Sequence, residues 1–134
     1  MSVRLFSVNP YSTEPVYEQL KSQIRKSILW GTLKEGDRLP TIKELASALS
    51  INPNTIARVF RELAMDGHLK SEPGTGTFVA TIPGKKLHEE RAEHLGRMLK
   101  TCLLEGRIMG FSVEEMKKIW EDAFNNFIEE EKAK

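Results

Sequence analysis

The chain has 134 residues, 40% of them hydrophobic and 29% charged, and its 20 Lys+Arg against 19 Asp+Glu leave a net charge of +1. That suits one domain, or one small domain with an appendage. No apolar run approaches the roughly 18 residues of a membrane span, no basic-then-apolar signal segment opens the chain, and the single Cys102 excludes an intrachain disulfide framework, so a reducing cytoplasm and no membrane partner are expected. Residues 1–82 carry 10 basic and 8 acidic side chains, and residues 83–134 carry 10 and 11. Neither half is strongly basic, so any nucleic-acid footprint must come from local arrangement.

The first dozen residues alternate loosely (Val3, Leu5, Val8) and suggest an extended arm or strand. Pro15 then opens a helix with Val16, Leu20, Ile24 and Ile28 at four-residue spacing, ending near Gly31. That stripe faces a core. Lys21, Arg25 and Lys26 lie off it, as a solvated face or as phosphate contacts. Gly36–Pro40 is a loop in which Asp37 fixes a turn through its side chain.

Two short helices follow a few residues apart. Thr41 and Glu44 form a capping box at the start of the first. Asn52 caps the second, with Pro53 at the first helical position, where a missing N–H costs nothing. From Pro53 to about Asp66, Ile56, Val59, Phe60 and Leu63 fall on one side and Asn54, Ala57, Arg58, Arg61 and Met65 on the other. The outer set offers an amide, a small residue and two guanidinium groups. Asn pairs bidentately with adenine and Arg with guanine in the major groove, and a free helix start suits phosphate. This is how a helix-turn-helix presents its second helix to DNA. A hairpin follows, with strands at 68–71 and 77–81 and a turn at 72–76. Its Gly-rich tip forms a wing whose backbone approaches a groove or phosphate without an intervening Cβ.

Pro83-Gly84 marks a boundary between a domain at 1–82 and a helical tail at 83–134. One tail helix spans about Lys85–Glu105, a break falls at Gly106–Gly110, and Ser112 with Glu115 caps a second helix. Cys102 reads as a small apolar core residue. The apolar residues Leu95, Met98, Leu99, Cys102, Met116, Ile119, Trp120, Phe124 and Phe127 form stripes too wide for two helices to bury against each other. Packing within the chain and a two-fold dimer are both open, and the dimer is the reading preferred. Trp120 and Phe124 serve either as core or as lining for an unidentified small-molecule effector at the seam.

Pro15-Val16-Tyr17-Glu18-Gln19-Leu20, Gly31-Thr32-Leu33, Gly36-Asp37-Arg38-Leu39-Pro40-Thr41, Glu44-Leu45-Ala46, Asn54-Thr55-Ile56, Leu63, Asp66-Gly67, Leu69 and Gly74-Thr75-Gly76-Thr77-Phe78-Val79 together resemble the winged-helix domain of GntR-type bacterial transcription regulators. The resemblance covers about residues 14–80. Asn52-Pro53-Asn54-Thr55 with a short helical tail is similar to the YtrA subfamily. The resemblance implies DNA contacts at Lys43, at Asn52, Pro53, Asn54, Thr55, Ala57 and Arg58, and at wing residues Pro73, Gly74, Thr75 and Gly76; Arg61 is added on phosphate. Lys43 stands where the family usually has Arg. It lacks the planar fork, so phosphate is its expected partner. Pro53 stands where many relatives carry Arg, which shifts specificity toward Asn54, Arg58 and the wing. The resemblance also supports dimerisation through the tail.

The expected fold is mainly α with a small β-hairpin: an N-terminal winged helix-turn-helix plus a C-terminal two-helix dimerisation tail. The expected function is a sequence-specific DNA-binding regulator, a repressor, that binds a palindromic double-stranded operator as a homodimer. The alternative is a winged-helix protein-interaction module without DNA binding. No phosphate-binding loop, metal-type Cys pair or Gly-x-Ser-x-Gly is present. His88 and His94 are six residues apart, about 240° round a helix, too far round to share a metal. No enzyme activity, metal or cofactor is expected.

Overall fold

The computed structural model describes residues 5–134. Five helices and a hairpin follow in order: α1 (Val16–Leu29), α2 (Ile42–Leu49), α3 (Pro53–Met65), β1 (Leu69–Glu72), β2 (Gly76–Val79), α4 (Gly84–Ile108) and α5 (Val113–Lys132). Contacts divide the chain into two compact units, one ending at Glu90 and the other spanning Arg91–Lys134. The first turns of α4 therefore belong with the winged helix, past the Pro83-Gly84 signal.

In the first unit the 3.6-residue stripes close on one another. Leu20, Ile24 and Ile28 of α1, Leu45 of α2 and Ile56, Val59, Phe60 and Leu63 of α3 share a core with Phe6, Leu33, Leu39, Leu69 and Val79. Both predicted helix starts form. Thr41 Oγ1 accepts from the Glu44 amide at 3.1 Å and the Glu44 carboxylate accepts from the Thr41 amide. Asn52 Oδ1 accepts from the Asn54 amide at 2.8 Å, with Pro53 at the first helical position. Between them Ser50 turns the chain through a left-handed backbone conformation, φ 55°, a cost for any residue with a Cβ.

The N-terminal segment departs from the expected strand. Val3 lies outside the described residues, and residues 6–15 run as irregular chain with turns. Two glutamines of α1 take the place of a strand partner. Gln23 accepts from the Ser7 amide at 3.0 Å and donates back to the Ser7 carbonyl. Gln19 accepts from the Asn9 amide at 2.8 Å and donates to the carbonyls of Asn9 and Glu14. This clasp seats Phe6 in the core, 3% exposed, and leaves Leu5 out.

The wing strands pair antiparallel with Leu69 opposite Val79 and Glu72 opposite Gly76. The first strand sits one residue closer to the tip than predicted, and the second starts one residue and ends two residues earlier, which leaves Pro73-Gly74-Thr75 as the turn and Ala80 and Thr81 outside. The loop before α2 forms a third edge: Leu39 donates to Thr77 O at 2.8 Å, and Val79 to Asp37 O at 2.8 Å. Asp37 fixes this loop as expected, accepting from the Lys34 amide at 2.8 Å.

In the second unit α4 runs through Gly106 to Ile108. A single glycine weakens a helix without ending it, and here Gly106 is where α5 crosses: a Cβ built there would lie 2.6 Å from Met116 Sδ. The break comes at Gly110, φ +95°, a helix-ending position that favours glycine. The Ser112–Glu115 capping box then starts α5, both bonds at 3.1 Å. No residue of α5 is buried. Cys102 is exposed as well, so it is no core residue of this chain.

Leu63 is fully buried where α3 meets α1 and α2. Leu63→Ala is expected to cost about 2–5 kcal/mol, read from the urea midpoint. A loss below about 1 kcal/mol would contradict this packing.

Candidate nucleic-acid interface

Burial of Ile56, Val59, Phe60 and Leu63 leaves Asn54, Arg58, Arg61 and Met65 exposed along the opposite side of α3. Thr55 and Ala57 are half-buried on its flanks, and Asn52 and Pro53 are exposed at its start. Lys43 is exposed in the first turn of α2. At the wing tip Pro73, Gly74 and Thr75 are exposed; Gly74 has φ +77° and Gly76 +144°. The helix start, the exposed α3 face and the wing thus belong to one compact unit with a largely outward-facing set of predicted residues.

The cations of this unit fall into two groups. One group is held against α1. Arg58 lies over the Tyr17 ring, 4.1 Å from its centroid, and its Nε is 3.3 Å from Glu62 Oε2. The Tyr17 hydroxyl donates to Glu62 Oε1 at 2.8 Å. Lys21 reaches Asp66 at 3.7 Å and Arg25 reaches the same carboxylate at 3.9 Å. Lys21 and Arg25 are therefore pairing residues rather than a solvated face. Arg58 is both exposed and pre-positioned: cation–π contact and ion pair fix the guanidinium at the α1 edge of the α3 face. The other group comprises Lys43 and Arg61, which have no ion pair among the described residues. They are free to meet phosphate.

Three contributions to this surface lie outside the sequence-predicted set. Arg38 comes from the loop before α2 and packs under the wing tip, where a Cβ on Gly76 would lie 3.0 Å from its Nε. Glycine at 76 is favoured by its backbone angle and leaves room for the Arg38 guanidinium. Tyr17 and Glu62 position Arg58. His68, 5% exposed, meets Glu90 of α4 through Nε2 at 3.0 Å, while Lys86 Nζ donates to Asp66 O at 3.1 Å. These two contacts tie the first turns of α4 to the end of α3. Glu90 thus serves His68, and no group of three or more His, Cys, Asp or Glu side chains among the described residues is placed to hold a metal. A lone cation before Leu39-Pro40 was the one available signal for Arg38; nothing local in sequence pairs residues 17 with 62 or 68 with 90.

The family model described as bacterial regulatory proteins, gntR family, matches residues 16–79. The HTH-type transcriptional repressor YtrA of Bacillus subtilis is 30% identical over 112 residues, 84% of this chain and 86% of the relative. The chain belongs to the gntR family of bacterial regulatory proteins. Its likeness to YtrA extends over the tail as well as the winged helix. A GntR family transcriptional regulator from Listeria monocytogenes superposes with a TM-score of 0.66 at 25% identity, over 83% of this chain and 96% of that one. The DNA-binding domain of AraR, solved in complex with operator ORX1, is 32% identical, with a TM-score of 0.51, over 57% of this chain and 96% of that one. This gntR-family chain is a DNA-binding transcription regulator and not an enzyme. No described helix is long and apolar enough to cross a membrane.

The Tyr17 phenol is raised above its ordinary value of 10.0, first by its hydrogen bond to Glu62 and then by burial, with the nearby carboxylates adding and Arg58 opposing. A raised folded-state value means that the neutral phenol is the stabilising form. Its contribution is full below pH 10 and fades as pH rises through the folded value. Tyr17→Phe is expected to lower the urea midpoint at pH 7, with the gap to the parent chain closing in the alkaline range. Equal midpoints at pH 7 would contradict the role assigned to this hydrogen bond.

Proposed function

We propose that the chain is a cytoplasmic homodimeric repressor that binds a palindromic operator, with the winged helix reading DNA and the tail holding the two copies together. The observation that carries the DNA half is the exposed Asn54–Arg58–Arg61 face of α3, flanked by the unpaired Lys43 and by the Gly74–Gly76 wing. In this reading Asn54, Thr55, Ala57 and Arg58 meet base edges. Lys43, Arg61, the helix start at Asn52-Pro53 and the wing tip Pro73–Gly76 meet phosphate or the adjoining groove. Arg38 joins them beneath the wing.

The tail supports the dimer half. Leu95, Met98, Ile119, Trp120, Phe124 and Phe127 are between 44% and 57% exposed in the single chain. The Trp120 and Phe124 rings stack with centroids 6.3 Å apart, still open to water. Cys102, with Leu99, Met116 and Trp120, lines an apolar groove of about 620 Å³ between α4 and α5. Exposed apolar surface on this scale marks an interaction site. A second copy covers both faces at once through a two-fold axis. Two linked readers suit half-sites about one DNA turn, ~34 Å, or a multiple apart. The name of the B. subtilis relative supports repression.

Selection from a random duplex pool tests both halves. The full chain is expected to enrich a palindrome, with affinity falling steeply with salt. Trp120→Asp is expected to run as a folded monomer in light scattering and to lose at least tenfold in affinity for the palindrome. Enrichment of no sequence would sink the operator reading, and a Trp120→Asp dimer would sink the assigned interface.

A further inference from the structure

A groove of about 520 Å³ runs along the flank of α3, lined by Ile42 of α2, by Ala57 and Met65 of α3 and by wing residues Ser71 and Thr77. Phe60, 6% exposed, forms part of its lining. This apolar strip lies on the surface that otherwise presents Lys43, Asn54, Arg58 and Arg61. Ala57 and Arg61 belong to both, so the strip continues the DNA-facing side of α3 and is not a separate patch. Ile42 packs part of its side chain on the core and keeps the rest accessible.

What lies against an apolar notch on a DNA-facing surface is set by the chemistry of the major groove. Base edges there are donors and acceptors, with one apolar group among them: the C5-methyl of thymine. Ala57 is small enough for the α3 backbone to come close. Ile42 is β-branched, so its χ1 is stiff and its branched end is presented without further loss of rotamer freedom. A polar base edge set against the side chains of Ile42 and Ala57 would lose water and gain no partner from either. We infer that the notch of Ile42 and Ala57 reads the 5-methyl group of a thymine in each half-site. The inference rests on the reading of α3 as the major-groove helix, and it makes Ile42, a residue outside the predicted contact set, a determinant of specificity. It also assigns discrimination of thymine from cytosine to van der Waals contact, with Asn54 and Arg58 left to purines.

The test replaces thymines of the selected palindrome one at a time by deoxyuridine, which removes the methyl and keeps every hydrogen-bonding group. Affinity of the full chain is expected to fall about fourfold at one position in each half-site, the factor that one buried methyl-sized group is worth. In Ile42→Ser, a change at the half-buried first position of α2, that replacement is expected to become neutral while the protein still binds. Tight binding by the parent chain that is indifferent to deoxyuridine at every position overturns this inference and leaves the operator reading standing. So does an Ile42→Ser chain that pays the same fourfold loss. Failure to enrich any duplex overturns both.

Discussion

The seating of α3 on α1 and α2 is the constraint on which the remainder depends. Ile56, Val59 and Leu63 are fully buried and Phe60 is 6% exposed. One residue of slip in that register would turn the helix by about 100° and bury Arg58 or Arg61 in place of Val59 or Phe60. The cost of burying an unpaired guanidinium forbids that. The inner face therefore decides which side chains look outward, and the Asn52 cap with Pro53 decides where the outward face begins. Specific recognition needs this rigidity, because base contacts reward a side chain only when the backbone beneath it is fixed.

A net charge of +1 sits awkwardly with a DNA-binding protein until the ion pairs are laid out. Glu62 and Asp66 face α1, where Lys21, Arg25 and Arg58 engage them. These pairs are partly exposed and contribute little stability each, but they place the carboxylates of α3 along its α1 flank. Lys43, Arg61 and Arg38 remain without ion pairs among the described residues. Local segregation of charge, rather than excess charge, makes the basic surface. The two roles also differ in chemistry. Arg58 is a fixed, planar group held by Tyr17, whereas Lys43 is an unanchored point charge.

Much of this was legible in the sequence because it is local. Caps are spelled out within four residues, as at Thr41–Glu44, Asn52–Asn54 and Ser112–Glu115, and each formed. Helical stripes are legible for the same reason, and the inner and outer faces of α3 came out as read. Long-range polar pairing is what the sequence hides. The loose alternation before Pro15 suggested a strand, yet glutamines 10 and 16 residues away hold that segment as an irregular clasp. Tyr17 and Glu62 are separated by 45 positions and His68 and Glu90 by 22, and no periodicity links such partners. Gly106 misled because a glycine inside a helix looks like a break when its purpose is to admit Met116. The groove beside α3 was invisible for a related reason: nothing local in the sequence brings Ile42 beside Ala57 and the wing.

The two units divide the work by the fate of their apolar residues. The first buries its stripes within itself and exposes polar and cationic groups. The second leaves rings and aliphatic chains exposed on α4 and α5. Hydroxyl-radical footprinting of the full chain on its selected duplex tests this division most directly. Two protected segments related by a dyad, about one helical turn or a multiple apart, are the predicted result. A single protected segment at saturating protein would contradict it.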